Sequence, residues 1–469
     1  MKKITISVLV VALCYIATVF YIGNKTETVF QDYIANSDKS SKELYDVSVK
    51  LVSYKKSFLS SSAEVEIDVI NPPLRADLVE FINLPIKSNF IVNHGPIFFH
   101  DQLTFGLAKV DSNIIASEVI ANAYLEEFNN YASGDVVIST SIDFNLSGKI
   151  KAKSIIDGID ITSESKNERL AFTPIAIIIE TDSNKVDSYK SSLQFKDFTI
   201  NSDDFYVNVS GVRVDSNIQR MFGGIVPIGV NKGIINDIMI RSSGLGLQPI
   251  NLSIKSNTST SESSSKLLAE GSVNLTLKNS DKFSIPIPVD SINVKVKLFG
   301  LSENDIASLN NILSISPSSN EDILLGQLEL WANNLLSGGD LNYDLGVSAT
   351  KDSNVVVNAD IRLGYKGHKF AKSSLEETLL SLQKNVLDIV NAELEILVNK
   401  SLIKSLNKNE AVTVEMMLSG LINEGLVEEN STEYIVSASY KDRVAMVNKK
   451  DLSKDLLREL VNLKLIDSP

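Results

Sequence analysis

Four stretches alternate apolar and polar residues with a period of two, and this limits the fold more than any other feature of the chain. In "AEVEIDVI" (63–70), Val65, Ile67 and Val69 point one way and Glu64, Glu66 and Asp68 the other. "VVISTSIDFNLSGKI" (136–150), "INVKVKLFG" (292–300) and "VVVNADIRLGY" (355–365) repeat the pattern. Successive side chains of a strand lie on opposite faces, so each stretch has one apolar and one wet face. That arrangement belongs to antiparallel sheets with one solvated side rather than to doubly covered parallel sheets. The expected class is therefore α+β, predominantly antiparallel β, with extended sheets apolar on one face.

Helical spacing is rarer and falls late, so helices are expected to concentrate in the C-terminal part. The candidates are 301–314 with Ser302 as N-cap, 320–336 around the single tryptophan Trp331, 373–390 capped by Ser374, 412–425 ending at Gly425, and 451–465. "SNTSTSESSSK" (256–266) is low in complexity and reads as an exposed loop. Strand patterns give way to mixed ones near Gly300, which suggests a seam there.

Ahead of these strands lies an uncharged run from Ile4 to Gly23, preceded by Lys2 and Lys3. As a helix it would be about 30 Å long, the thickness of a hydrocarbon core. No small-residue cleavage site follows, so a retained signal anchor is expected, with Lys2 and Lys3 cytoplasmic and Lys25 flanking the far side. Val29, Phe30, Tyr33 and Ile34 sit at helical spacing and are expected to continue that helix and lift the body off the bilayer. The expected organisation is a transmembrane anchor over 1–23, a juxtamembrane helix and linker over 24–43, a β-rich extracytoplasmic region over 44–300, and a mixed α/β region over 301–469.

The formal net charge is −13, which repels phosphates and argues against nucleic acid as a partner. The one cysteine, Cys14, lies inside the apolar run, so the rest of the chain has neither a disulfide framework nor a cysteine metal site. Leu13 before it does not suit lipidation.

Few residues suggest chemistry. His94 precedes Gly95 and Pro96 between two apolar runs, where Gly95 permits unusual φ and Pro96 fixes it, so the trio reads as a turn. A His94/His100/Asp101 metal cluster is imaginable across a tight hairpin, but His368 has no carboxylate beside it, and no metal is expected. The glycine-rich "FGGIVPIGVNKG" (222–233) lacks the Lys-Ser/Thr pair of a phosphate loop. Glu126/Glu127 and Glu428/Glu429 are adjacent pairs that read as solvated charge. No catalytic residue and no cofactor is expected.

"VSYKKSFLSSSAEVEI" (52–67), "VNHGPI" (92–97) and "NSTEYIVSASYKDRVAMVNKKDLSKDLLREL" (430–460), behind the apolar N-terminus, together resemble the YdgA-like family of bacterial envelope proteins. The matching positions are Tyr54, Phe58, Ser60 and Ser61, then His94, Gly95 and Pro96, and finally Tyr440 and Leu452. Family members often carry Arg-Gly before the Phe, where this chain has Lys56 and Ser57. The resemblance implies an inner-membrane, single-pass anchor with a periplasmic body, and it implies no active site.

The functional expectation is a non-enzymatic, membrane-anchored periplasmic protein that contacts the bilayer through residues 4–23. It would hold lipid or another envelope component on an apolar sheet face, at about 0.8 kcal/mol per buried CH₂. The alternatives are a protein–protein interaction module of the envelope and a hydrolase with a site assembled from distant residues.

Overall fold

The structure, a computed structural model, describes residues 23, 25–28, 30–39, 41–42, 46–99, 103–121, 137–163, 168–182, 185–242, 247–278, 289–313, 326–327, 331, 341–367, 388–406 and 408–455. Contacts divide the chain into two units, Met1–Asn217 and Ile218–Pro469. Gly300, where the sequence pattern changes, falls within a strand of the second unit.

Unit 1 is built from β1 (Val47–Lys56), β2 (Ser60–Val69), β3 (Ile86–His94), β4 (Ile97–Phe99), β5 (Leu103–Phe105), β6 (Ala108–Ile115), β7 (Val137–Phe144), β8 (Lys149–Ile156), β9 (Ile159–Ser163), β10 (Glu168–Phe172), β11 (Ile175–Asp182) and β12 (Lys185–Asn201). Antiparallel pairing runs β1–β2–β3–β6–β7–β8–β11–β12–β10–β9. β4 and β5 form a small hairpin of their own.

The apolar face of β1, β2, β3, β6 and β7 is covered by a helix running through residues 25–28 and 30–39, referred to below as the N-terminal helix. Its buried positions are Thr26, Phe30 and Ile34, and Gly23 continues the stripe. Phe30 packs against Tyr54 and Phe90, with ring centroids 5.9 Å apart in each case. Glu27 lies 3.7 Å from Lys56, and Asp38 accepts hydrogen bonds from the Ser48 hydroxyl and the Val49 backbone N–H. The juxtamembrane helix expected over 24–43 thus packs on the sheet of unit 1 through this stripe. An exposed apolar sheet face is costly in water, and the stripe of Phe30 and Ile34 covers it. Tyr33, on the other side, is 41% exposed.

β13 (Phe205–Phe222) carries the chain across the unit boundary. Unit 2 continues with β14 (Val226–Ser242), β15 (Leu247–Ser263), β16 (Lys266–Leu277), β17 (Ser291–Ser302), β18 (Leu341–Lys351), β19 (Asn354–Tyr365), β20 (Val390–Asn399), β21 (Glu428–Glu429), β22 (Glu433–Lys441), β23 (Val444–Val447) and β24 (Lys450–Asp451). From β14 to β20 each strand pairs with the next, antiparallel, and β22 joins beyond β20.

Two expectations are corrected. "SNTSTSESSSK" is the end of β15, a tight turn at Ser264–Ser265 and the first residue of β16. β14 and β16 satisfy its backbone on both sides, and threonine suits a pleated strand, so low complexity did not mean loop. Nor are helices confined to the C-terminal part. Besides the N-terminal helix there are Pro72–Leu78 and Ala116–Val119, against Glu303–Leu313, Lys400–Lys404 and Lys408–Asn423 later. Pro72–Leu78 is too short for a periodic signal but has a capping one: Asn71 accepts from the Leu74 N–H, and Pro72 and Pro73 open the first turn.

Among the described residues no helix is long and apolar enough to cross a membrane. Residues 1–22, which hold almost all of the expected anchor, lie outside the described residues, as do nearly all of the expected helices over 320–336, 373–390 and 451–465.

Candidate functional site

Two features of the described residues are unusual enough to bear function, one in each unit. In unit 1, β3 ends at His94, whose N–H donates to Leu59 O. The Gly95 N–H then donates to Leu107 O, and the Gly106 N–H returns to Pro96 O. A Cβ on Gly95 would lie 1.8 Å from Gly106 O, so only glycine fits there.

His94 is 3% exposed and its Nε2 is 2.8 Å from Ser61 Oγ, also 3% exposed. Nδ1 of His94 and the Tyr54 hydroxyl find no hydrogen-bond partner among the described residues. Nε2 and Ser61 Oγ share one hydrogen bond, whose donor is set by the tautomer of the ring. The backbone at Gly23 lies over the ring: a Cβ there would touch Cδ2 at 3.6 Å. Burial pushes the His94 pKa down, and Lys56 adds to the effect. Burial likewise pushes the Tyr54 hydroxyl up.

A Ser–His contact of 2.8 Å is the spacing of a nucleophile and its base. Here no carboxylate among the described residues orients Nδ1, and the N-terminal helix closes the face, so the arrangement ties β2, β3 and helix together. Lys25 of the expected anchor flank is exposed and borders a small enclosed space of about 30 Å³ beside Thr26, Phe30 and Val110. Lys2, Lys3, His100, Asp101, Glu126, Glu127 and His368 lie outside the described residues. Among the described residues no three His, Cys, Asp or Glu side chains gather to hold a metal. Glu428 and Glu429 face Lys449 and Lys400 at 3.3 and 2.6 Å. Trp331 donates its indole N–H to Asp305 O.

The feature in unit 2 emerges only when register is added to periodicity. Val273, Val294, Val347, Ala359, Ile396 and Val436 stand side by side across β16, β17, β18, β19, β20 and β22. Two residues along, the row is Gly271, Val296, Leu345, Ile361, Leu394 and Ala438; two further, Ala269, Leu298, Tyr343, Leu363, Ala392 and Tyr440. On the other side of the valine row stand Leu275, Ile292, Ala349, Val357, Val398 and Tyr434. Four successive rows thus carry no charge, over an area of about 24 by 20 Å at ordinary strand spacings.

At one end Leu402, from the helix Lys400–Lys404, forms a buried cluster with Val289 and Val356, and Ile292, Val357 and Val398 pack against that cluster. Away from it the face is half-buried, and Val273 and Leu363 are 43% and 44% exposed. The opposite face carries Glu270, Lys297, Asp344, Arg362 and Glu393 in one alternating row. A shallow depression of about 450 Å³ lies on that face around Gly346. Beside it Lys297 pairs with Glu270 at 3.2 Å and Arg362 with Glu393 at 3.4 Å, exposed cross-strand pairs that behave as a solvated ladder.

Sequence reading found His94, Gly95 and Pro96 but missed Ser61 as the partner of the imidazole. It saw two of the apolar strand faces of unit 2. "AELEILV" in β20 and "YIVSASY" in β22 alternate just as clearly and could have been added.

A family profile described as "Bacterial protein of unknown function (DUF945)" matches residues 1–455. No curated protein and no solved structure gives a significant match.

Proposed function

The chain belongs to the DUF945 family of bacterial proteins, and we propose that it is an envelope protein holding the acyl part of a lipid on the apolar sheet face of unit 2. One observation carries the reading: four uncharged rows across six strands, half-buried, with Val273 and Leu363 exposed among them. A continuous apolar patch of that size is a liability in water unless something covers it. An acyl chain laid along one row supplies that cover, and each methylene buried is worth about 0.8 kcal/mol. The action is binding rather than turnover.

The address belongs to the same proposal. Residues 4–23 would cross the inner membrane with Lys2 and Lys3 in the cytoplasm and the body in the periplasm, as the uncharged run and the positive-inside bias suggest. The finer kinship with YdgA-like proteins is proposed on Tyr54, Phe58, Ser60, Ser61 and the His94–Gly95–Pro96 turn.

Native mass spectrometry of the gently extracted, full-length protein tests the lipid reading. A bound species in the mass range of an envelope lipid, lost on replacing Val347 by Asp, is expected. A preparation that is repeatedly lipid-free rejects it. A reporter fused to the C-terminus tests the address, and cytosolic activity of that fusion rejects it.

A further inference from the structure

The N-terminal helix meets the sheet of unit 1 at one end, and the two ends of that sheet differ. Gly23 lies over the His94 ring at the close of β3, whereas Asp38 binds Ser48 and Val49 near the start of β1. Lys56 pairs with Ser61, His94 with Ala108, and Ala108 with Phe144. The turns after β1 and β7 and the approach to β6 therefore gather at the Gly23 end. Backbone bonds tie them: the His94 N–H donates to Leu59 O and the Leu107 N–H to Phe144 O.

These connections carry large apolar side chains. Phe58, Leu59, Phe105 and Leu146 are between 45% and 61% exposed. Lysines stand among them: Lys25, Lys55 and Lys149 are exposed, and Lys56 lies 3.7 Å from Glu27. Asp182 stands opposite Lys149, and Asp143 between Lys109 and Lys151. Among the described residues basic charge thus prevails at this end. The far end also exposes Leu74, Val79 and Phe81, but Asp77 and Glu80 are exposed beside them, and Arg75 is paired with Asp68 at 3.0 Å. Apolar side chains ringed by lysines suit an anionic lipid surface, because the amines reach phosphates while the apolar groups enter the acyl boundary. Apolar side chains ringed by carboxylates do not.

The chain itself says what lies against the basic end. The uncharged run Ile4–Gly23 finishes over His94. In the address proposed above, on which this inference rests, that run crosses the inner membrane, so Gly23 marks the edge of the hydrocarbon. The turns with Phe58, Leu59 and Leu146 lie a residue or two beyond His94, which is a few ångström. We infer that this end of unit 1 is seated in the headgroup layer of the membrane, with Phe58, Leu59, Phe105 and Leu146 at the acyl boundary and the lysines on lipid phosphates. The body is then held by a second contact besides the anchor.

The test uses the full-length chain in vesicles of phosphatidylethanolamine and phosphatidylglycerol. Spin labels are placed on Leu59→Cys, Leu146→Cys and, at the far end, Phe81→Cys, each in a Cys14→Ser background that removes the only native thiol. The native Cys14, labelled in the unmodified chain, reports on the uncharged run itself. Collisions with oxygen, which concentrates in hydrocarbon, are compared with collisions with a water-soluble nickel chelate. The oxygen-to-nickel ratio at Leu59→Cys and Leu146→Cys is expected to be several-fold above that at Phe81→Cys. Ratios equal to that of Phe81→Cys, with the Cys14 label immersed, overturn the seating and leave the address standing. A Cys14 label open to the nickel chelate overturns the address and the seating with it.

Discussion

At the scale of single residues, the tightest constraint is Gly95. Its missing Cβ leaves room for the Gly106 carbonyl, and no rotation of a side chain relieves a backbone contact of 1.8 Å. Gly95→Ala is expected to cost about 3 kcal/mol or more, read as a fall in the unfolding midpoint in denaturant. His94 gives a pH signature instead. Its folded pKa lies below the unfolded value of about 6.5, so the unfolded chain binds the proton more readily. The stability this represents is fully present above pH about 6.5 and is lost as pH falls below that value toward the depressed folded pKa. Unfolding midpoints of the native chain and His94→Gln, measured from neutral to mildly acidic pH, should differ in slope, with the variant flatter. Equal slopes would mean that the imidazole is not held neutral by burial. The His94–Gly95–Pro96 turn was legible because glycine and proline are local signals. Ser61 was not, because 33 residues of sequence separate it from the ring it touches.

At the scale of elements, the N-terminal helix and the hairpins carry the lesson. Phe30 is 4% exposed within the main cluster of unit 1, and Phe30→Ala is expected to cost about 3–5 kcal/mol. Tyr33→Ala, on the outward side, should stay within about 0.5 kcal/mol. Hydrogen exchange should then rise across residues 25–39 for the first variant and not for the second. The hairpin turns are a separate matter. Ser264–Ser265, Asp352–Ser353, Asp442–Arg443 and Asn448–Lys449 each place two non-glycine residues at positive φ. Such turns match the right-handed strand twist, and Asn-Gly fills them best. Replacing Ser264–Ser265 with Asn-Gly should therefore raise stability by about 1 kcal/mol in thermal unfolding. None of the four turns carries an Asn-Gly or Asp-Gly signal, so nothing local marks β15 and β16 as one hairpin through the serine-rich stretch.

At the scale of the whole molecule, the alternating pattern was enough to establish an antiparallel, β-dominated chain, because a period of two leaves no other regular structure for those residues. Single-strand periodicity also gave the four alternating stretches their apolar and polar faces. It could not say which strands would stand beside which. Register lined up Val273, Val294, Val347, Ala359, Ile396 and Val436 into one row, and a shift of one residue anywhere would have broken it. The proposed lipid contact belongs to this scale. Val347→Asp should remove bound lipid, and Lys295→Ala, on the opposite face, should leave it, as read by native mass spectrometry. The sequence by itself determined the extended conformation within the alternating stretches 63–70, 136–150, 292–300 and 355–365, since that depends on neighbours two residues away. Only the tertiary structure decided that the N-terminal helix is spent on the face of unit 1 while the face of unit 2 is, among the described residues, capped at one end and half-buried elsewhere, because coverage depends on what the chain brings back from a distance.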